Sequence, residues 1–126
     1  MAWSFNKQNA SPLSLNAWCV PPAIFNDILF SMRKVVEDGT GALAKLENFD
    51  VSGKTGTTEK LRDGNYKSST YTASFIGIGP NPSNELTIFV NIDGLGSQKY
   101  SGGSVAAPLF KKISNDVFSY MGYFNK

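Results

Sequence analysis

The chain has 126 residues, enough for one domain with a single hydrophobic core. Apolar residues make up 41%, with nine Phe, five Tyr and two Trp, a composition that excludes a disordered chain. Twelve basic residues against ten acidic ones leave a net charge of +2 and no basic cluster, so no nucleic acid and no anionic membrane surface is expected as a partner.

Residues 1–22 show no hydrophobic period and are rich in Ser, Asn and Pro. They lack the basic start and apolar run of a signal peptide. The lone Cys19 cannot form an internal disulfide and reads as a buried, inert thiol. Nowhere does an apolar run reach about 18 residues, so no membrane segment is expected.

Pro21–Pro22 favour a helix start, and the spacing predicts a helix over 23–38. Ile24, Ile28, Met32 and Val35 form its apolar stripe, widened by Phe25, Leu29 and Val36, with Arg33 and Lys34 on the other face. Gly39 is expected to end it in the left-handed conformation. Residues 40–46 add a short helical turn. The period then changes to two, which predicts a strand over 49–57. A polar stretch with an Asp63–Gly64 turn signal leads to a second strand over 70–79. A third strand, 86–93, is apolar on both faces and therefore expected to be central. A glycine-rich connection precedes a last helix over 105–121, capped by Ser104, with Pro108 in its first turn. Its expected buried stripe is Ala106, Leu109, Phe110, Ile113, Val117 and Met121. Helix, three hairpin-joined strands and helix make an α+β arrangement, an antiparallel sheet flanked by helices.

The stretch VSGKTGTTEK, residues 51–60, sets Lys54 between Gly53 and Thr55 and repeats a Gly–Thr pair at once. Three readings compete: a phosphate cradle, a wall for a carboxylate, and a solvated polar edge. A phosphate loop needs a glycine five residues before its Gly–Lys pair and a helix after it. Position 48 is asparagine, and the residues after Thr57 are polar and turn-like. The carboxylate reading fits better. In a strand Lys54 and Gly56 share one side, Thr55 and Thr57 the other. Small residues let an extended ligand lie alongside, and an ammonium, a hydroxyl and free N–H groups suit a carboxylate and a peptide carbonyl. The chain has no histidine, which excludes a Ser–His–Asp triad or Cys–His pair within it and removes the commonest zinc ligand.

Lys–Thr–Gly, standing at 54–56, is one of three motifs of the penicillin-recognising serine transferases and hydrolases. With VVEDGTGALAKLENFDVSGKTGTT, YTASFIGIGP, IFVNIDGLG and YSGGSVAAPLFKKI in that order and spacing, the chain resembles the C-terminal part of class B penicillin-binding proteins. These are the D,D-transpeptidases that cross-link peptidoglycan in division or elongation. The resemblance leaves 1–22 as an unmatched segment and makes 23–126 the C-terminal portion of a transpeptidase domain.

What the resemblance implies is specific. Lys54 fixes the substrate carboxylate and sets the electrostatics of the site. The Thr55 hydroxyl bonds the same carboxylate, or that of a β-lactam, and Gly56 keeps the wall open. The backbone N–H of Thr57 is one of two oxyanion-hole donors. No metal or organic cofactor is implied. The partners are a peptidoglycan stem peptide ending in D-Ala-D-Ala and β-lactams, and the parent acts on the outer face of the cytoplasmic membrane, held by a helix absent here.

The sequence departs from the family at the nucleophile, a serine in Ser–x–x–Lys. SMRK, Ser31 to Lys34, has the spacing but falls on the helix before the Lys–Thr–Gly strand, whereas the family's nucleophile lies far upstream. SFNK at Ser4 and the Ser–x–Asn match SLN, Ser14 to Asn16, are read as chance. The expectation is a fragment inactive alone. Loss of neighbouring strands would expose the third strand and the first helix stripe, favouring self-association or union with a missing N-terminal half. The alternative is a non-catalytic module that binds peptide termini or a protein through the same strand.

Overall fold

Pro21 and Pro22 open helix α1, Pro22–Glu37, in the computed structural model of the chain, which describes residues 21–60, 70–83, 86–96 and 101–123. A proline in the first turn costs no hydrogen bond, because the N–H it lacks has no helical partner. Of the expected stripe, Leu29 and Val36 are buried, whereas Ile24, Phe25 and Ile28 are exposed. The cause is placement. α1 packs on the sheet and the following turn chiefly through its middle and C-terminal part, and the apolar side chains of its first turns stay largely exposed. The helix ends at Asp38 and Gly39, whose N–H groups bond the carbonyls of Lys34 and Val35. Gly39 is not left-handed, contrary to expectation. Its role is steric: a Cβ there would stand 2.9 Å from the Cα and carbonyl oxygen of Val35.

A 3-10 turn, Ala42–Ala44, leads to the sheet. Strand β1 is Ser52–Glu59, beginning later and ending later than the expected 49–57. Strand β2 is Tyr71–Gly79 and strand β3 is Leu86–Leu95, all antiparallel in the order β1-β2-β3. The turn expected at Asp63–Gly64 lies outside the described residues. β3 was expected to be central, but β2 is. The apolar character of β3 on both faces reflects Ile88, Val90 and Ile92 on the core side and an exposed Phe89 on the other.

The last helical segment starts differently from expectation. Ser101, not Ser104, is the cap: its hydroxyl accepts from the Ser104 N–H, and the Ser104 hydroxyl accepts from the Ser101 N–H. This reciprocal box starts a five-residue π-helical turn, Gly102–Ala106, which passes into helix α2, Ala107–Tyr120. The buried positions of α2 are Ala107, Phe110, Ser114 and Phe118. Leu109, Ile113 and Met121, expected inside, are exposed. Phe110 fixes this rotation: its ring stacks obliquely on Phe75, centroids 4.7 Å apart, and lies on Gly77, where a Cβ would collide with the ring. Phe118 meets Phe49 and Tyr123 edge to face. Val36, Ala44, Leu46, Val51 and Val90 complete the core. No helix among the described residues is long and apolar enough to cross a membrane.

An ionic clamp joins the β1 end to β3. Lys60 Nζ donates to Asp93 Oδ2 at 2.5 Å and Thr72 Oγ1 donates to Asp93 Oδ1 at 2.7 Å. The bond from Lys60, then that from Thr72, hold the Asp93 carboxyl below its ordinary value. A carboxyl lowered by folding stabilises the fold fully above its unfolded value, about 3.9, and the contribution is lost as pH falls through the folded value. Asp93→Asn is therefore expected to flatten the acid limb of thermal stability below about pH 5, measured as melting temperature against pH. An unchanged acid limb would assign it to other carboxylates.

Candidate functional site

The site stretch lies on β1, and backbone hydrogen bonding dictates which of its groups are free. The Lys60 N–H bonds the Thr70 carbonyl at 2.8 Å. The register pairs Glu59 with Tyr71, Thr57 with Ala73 and Lys54 with Ile76 without interruption. In an antiparallel pair, bonded and non-bonded partners alternate. Counting back from Lys60, residues 58, 56, 54 and 52 turn their backbone groups to β2, whereas Thr55 and Thr57 direct theirs off the open edge. The side chain of Lys54 corroborates this: its Nζ donates to the Thr55 carbonyl at 3.0 Å. Among the described residues no acceptor takes the Thr57 N–H.

Side chains follow the alternation expected of a strand. Thr55 and Thr57 share one face. Thr55 Oγ1 lies 3.0 Å from Thr40 Oγ1, in the link between α1 and the 3-10 turn. Thr57 Oγ1 accepts from the Gly102 N–H at 3.0 Å, at the first residue of the π-helical turn. Two distant segments therefore fix the two threonines. Lys54 and Gly56 take the other face. Gly56 opposes Ser74, and a Cβ at 56 would stand 2.5 Å from the Ser74 hydroxyl. Lys54 is exposed and borders an open, mainly apolar groove of about 370 Å³ along α1, lined also by Ile24, Ile28, Ser31 and Val35.

Lys54, Thr55, Gly56 and Thr57 thus come together at one edge with an ammonium, a hydroxyl and an outward N–H. Sequence reasoning missed Thr40, Ser74 and Gly102. Thr40 stands in a Gly–Thr–Gly link that looked like a connector, and Gly102 in a glycine-rich loop, with no local signal of either contact.

Ser31 and Lys34 do not form a nucleophile and base. The Ser31 hydroxyl donates to the Asp27 carbonyl at 2.9 Å, and Lys34 Nζ donates to Glu37 at 2.7 Å. That bond, and the Glu37 charge behind it, raise the Lys34 ammonium above its ordinary value. A base needs the opposite shift. Glu37 in turn is held below the usual carboxylate value by Lys34 first and Arg33 second. The other matches, at Ser4 and at Ser14 to Asn16, and Cys19, lie outside the described residues.

The chemistry this edge supports is recognition of an anionic, extended ligand. An ammonium and a hydroxyl can hold a carboxylate, and an N–H fixed in a sheet can stabilise charge that develops on a carbonyl oxygen.

Comparison with known proteins shows the family. The family described as "Penicillin binding protein transpeptidase domain" matches residues 8–115, a span that begins ahead of the resemblance read from the motifs. Stage V sporulation protein D of Bacillus subtilis is 37% identical over 95 residues, covering 75% of this chain and 15% of that protein. The probable peptidoglycan D,D-transpeptidase PenA of Neisseria gonorrhoeae is 34% identical over 120 residues, covering 94% of this chain and 20% of that protein. Among solved structures, the transpeptidase domain of Burkholderia pseudomallei penicillin-binding protein 3 superposes with a TM-score of 0.74 at 27% identity, over 83% of this chain and 32% of that one. The chain therefore spans only a fifth or less of these curated relatives.

Proposed function

The chain belongs to the penicillin-binding protein transpeptidase family, in its class B branch, and we propose that it forms one wall of the acyl-transfer cleft of a peptidoglycan-cross-linking enzyme. The observation that carries this reading is the open edge of β1, where the outward N–H of Thr57 stands beside the Lys54 ammonium and the Thr55 hydroxyl.

In this reading a stem peptide ending in D-Ala-D-Ala, or a β-lactam, lies along that edge. Lys54 and Thr55 hold its carboxylate by charge-assisted bonds. The Thr57 N–H meets the scissile carbonyl oxygen, where one such donor contributes on the order of 3 kcal/mol to the transition state. Gly56, with Ser74 beside it, keeps the wall thin. Acyl transfer also requires a nucleophile that forms the acyl intermediate and splits the reaction into two steps. The bonding of Ser31 and Lys34 supports assigning that serine and its activating lysine to residues outside this wall. The wall alone then binds without reacting.

The test is a titration of the isotope-labelled chain with an N-acylated peptide ending in D-alanyl-D-alanine, followed by amide resonances. The Thr55 and Thr57 amides are expected to shift, with an affinity of roughly 1 mM, and Lys54→Ala is expected to weaken binding by about tenfold. Lys54 is exposed, so the substitution leaves stability within about 0.5 kcal/mol. Incubation with a fluorescent penicillin is expected to give no covalent adduct by intact mass. Absence of any shift at β1 refutes the wall. A stoichiometric adduct would place an activated serine in this chain, with Ser31 the first to examine.

A further inference from the structure

Ser52 carries a buried hydroxyl that the acyl-transfer reading does not use. It opens β1 and is 1% exposed. Its hydroxyl donates to the Leu29 carbonyl of α1 at 3.0 Å. Leu29, 8% exposed, stands inside the helix, so its carbonyl already belongs to the helical ladder. A carbonyl has a second lone pair, and the serine occupies it. The bond therefore leaves the ladder of α1 intact and joins two elements. Apolar packing is non-directional and lets a helix slide over a strand. A hydrogen bond of this length does not. Both partners are already buried among the described residues, so the bond does not depend on further protein around it.

The bond lies next to the ligand-binding stretch. Side chains two residues apart share a face of a strand, so Ser52 and Lys54 both face α1. Lys54 borders the flank of α1 that carries Ile28, Ser31 and Val35. Its ammonium turns back to the Thr55 carbonyl at 3.0 Å. Arg33, one turn on from Leu29, reaches Asp50 at 2.6 Å and adds a second tie two residues ahead of Ser52. That pair is 39% and 61% exposed, so solvent weakens it and the buried bond sets the spacing. A lysine stem is flexible and samples many rotamers when free. A helix wall held at a fixed distance removes part of that freedom before any ligand arrives.

We propose that Ser52 is a positioning residue for the Lys54 ammonium: by holding Leu29 it sets the α1 wall beside the lysine stem, and so orders the ammonium in advance of an anionic ligand. The ligand part of this inference rests on the reading of β1 as a carboxylate wall; the ordering part does not. Pre-ordering raises affinity by reducing the freedom lost on binding. The Ser52 hydroxyl itself never meets the ligand, since its proton is committed to Leu29 and the side chain is covered. Ser52→Ala removes the bond and leaves Lys54 chemically unchanged. It strands no acceptor, because the Leu29 carbonyl keeps its helical partner.

Two measurements on the full chain test this. In the ligand-free chain, carbon relaxation of the Lys54 side-chain methylenes is expected to show wider motion in Ser52→Ala than in the wild type, with unchanged circular dichroism. In titrations with the N-acylated D-alanyl-D-alanine peptide, Ser52→Ala is expected to weaken binding by about fivefold, the equivalent of one ordinary hydrogen bond. The same substitution made in the Lys54→Ala chain is expected to change nothing further, an outcome that general loosening of β1 would not give. Ser52→Cys keeps a weak donor and is expected to fall between alanine and wild type; it is read instead where the alanine chain does not fold. Lys54 motion that is the same with and without the Ser52 hydroxyl overturns the proposal, whatever the ligand does. So does an equal loss of affinity with and without Lys54, since Ser52 then acts on the strand as a whole. A wild-type chain that binds no peptide, while Lys54 loosens in Ser52→Ala, refutes the carboxylate wall and upholds the positioning.

Discussion

Phe110→Ala is expected to lower the stability of the chain by about 3–5 kcal/mol, read from urea or thermal unfolding. The ring is 1% exposed. It rests on the backbone at Gly77 and against Phe75, and neither neighbour can fill the space it would leave. Gly77 has no side chain, and β2 is held by ladders on both sides. A cavity that cannot collapse incurs both the transfer cost and the cavity cost. The comparison that gives the measurement its force is Leu109→Ala, one residue earlier and 41% exposed, expected to cost less than about 1 kcal/mol. Equal losses at the two positions would mean that α2 is rotated from the orientation described here.

That pair of positions also shows what the sequence could and could not convey. The existence of α2 was legible from its apolar spacing, but its phase was not. A serine occupies the fully buried position 114, and its hydroxyl finds no partner among the described residues. A search for apolar side chains therefore drifts to Ile113 and Leu109, on the flank that the described residues leave uncovered. α1 misleads similarly: Ile24 and Ile28 keep the helical period yet meet solvent, because periodicity reports an apolar face without saying what covers it. The central strand was misjudged for a related reason. β3 is apolar on both faces, while β2 carries Gly77 and Gly79 where Phe110 and Val51 need room.

The site divides along the same line. Lys54 to Thr57 could be picked out because the motif is contiguous and strand alternation assigns its faces without tertiary information. Thr40, Ser74 and Gly102 could not. They reach the motif from separate elements, Thr40 across 15 residues and Gly102 across 45. Only the packed fold brings them there.

Gly102 is the position at which fold and site are most tightly coupled. A Cβ there would run into the Ser74 carbonyl oxygen and stand 2.5 Å from the Gly56 carbonyl oxygen and 2.9 Å from the Gly56 nitrogen. All three are backbone atoms of paired strands, so no flexible side chain can yield. Gly102→Ala must therefore push the π-helical turn away from β1 or distort β1 itself. Either movement stretches the bond from the Gly102 N–H to Thr57 Oγ1. Overpacking of this kind costs about 1–3 kcal/mol, and a displaced Thr57 is expected to lose at least tenfold in affinity for a D-alanyl-D-alanine peptide. Gly96→Ala serves as the control, since a Cβ there meets nothing within 4 Å among the described residues, and it is expected to leave both quantities unchanged. The two measurements separate the consequences. Lost affinity at nearly wild-type melting temperature, with shifted Gly56 and Thr57 amide resonances, would mean that the turn moved just enough to misplace the edge. Lost stability with retained affinity would mean that α2 gave way and β1 held, leaving Thr57 aligned without help from Gly102.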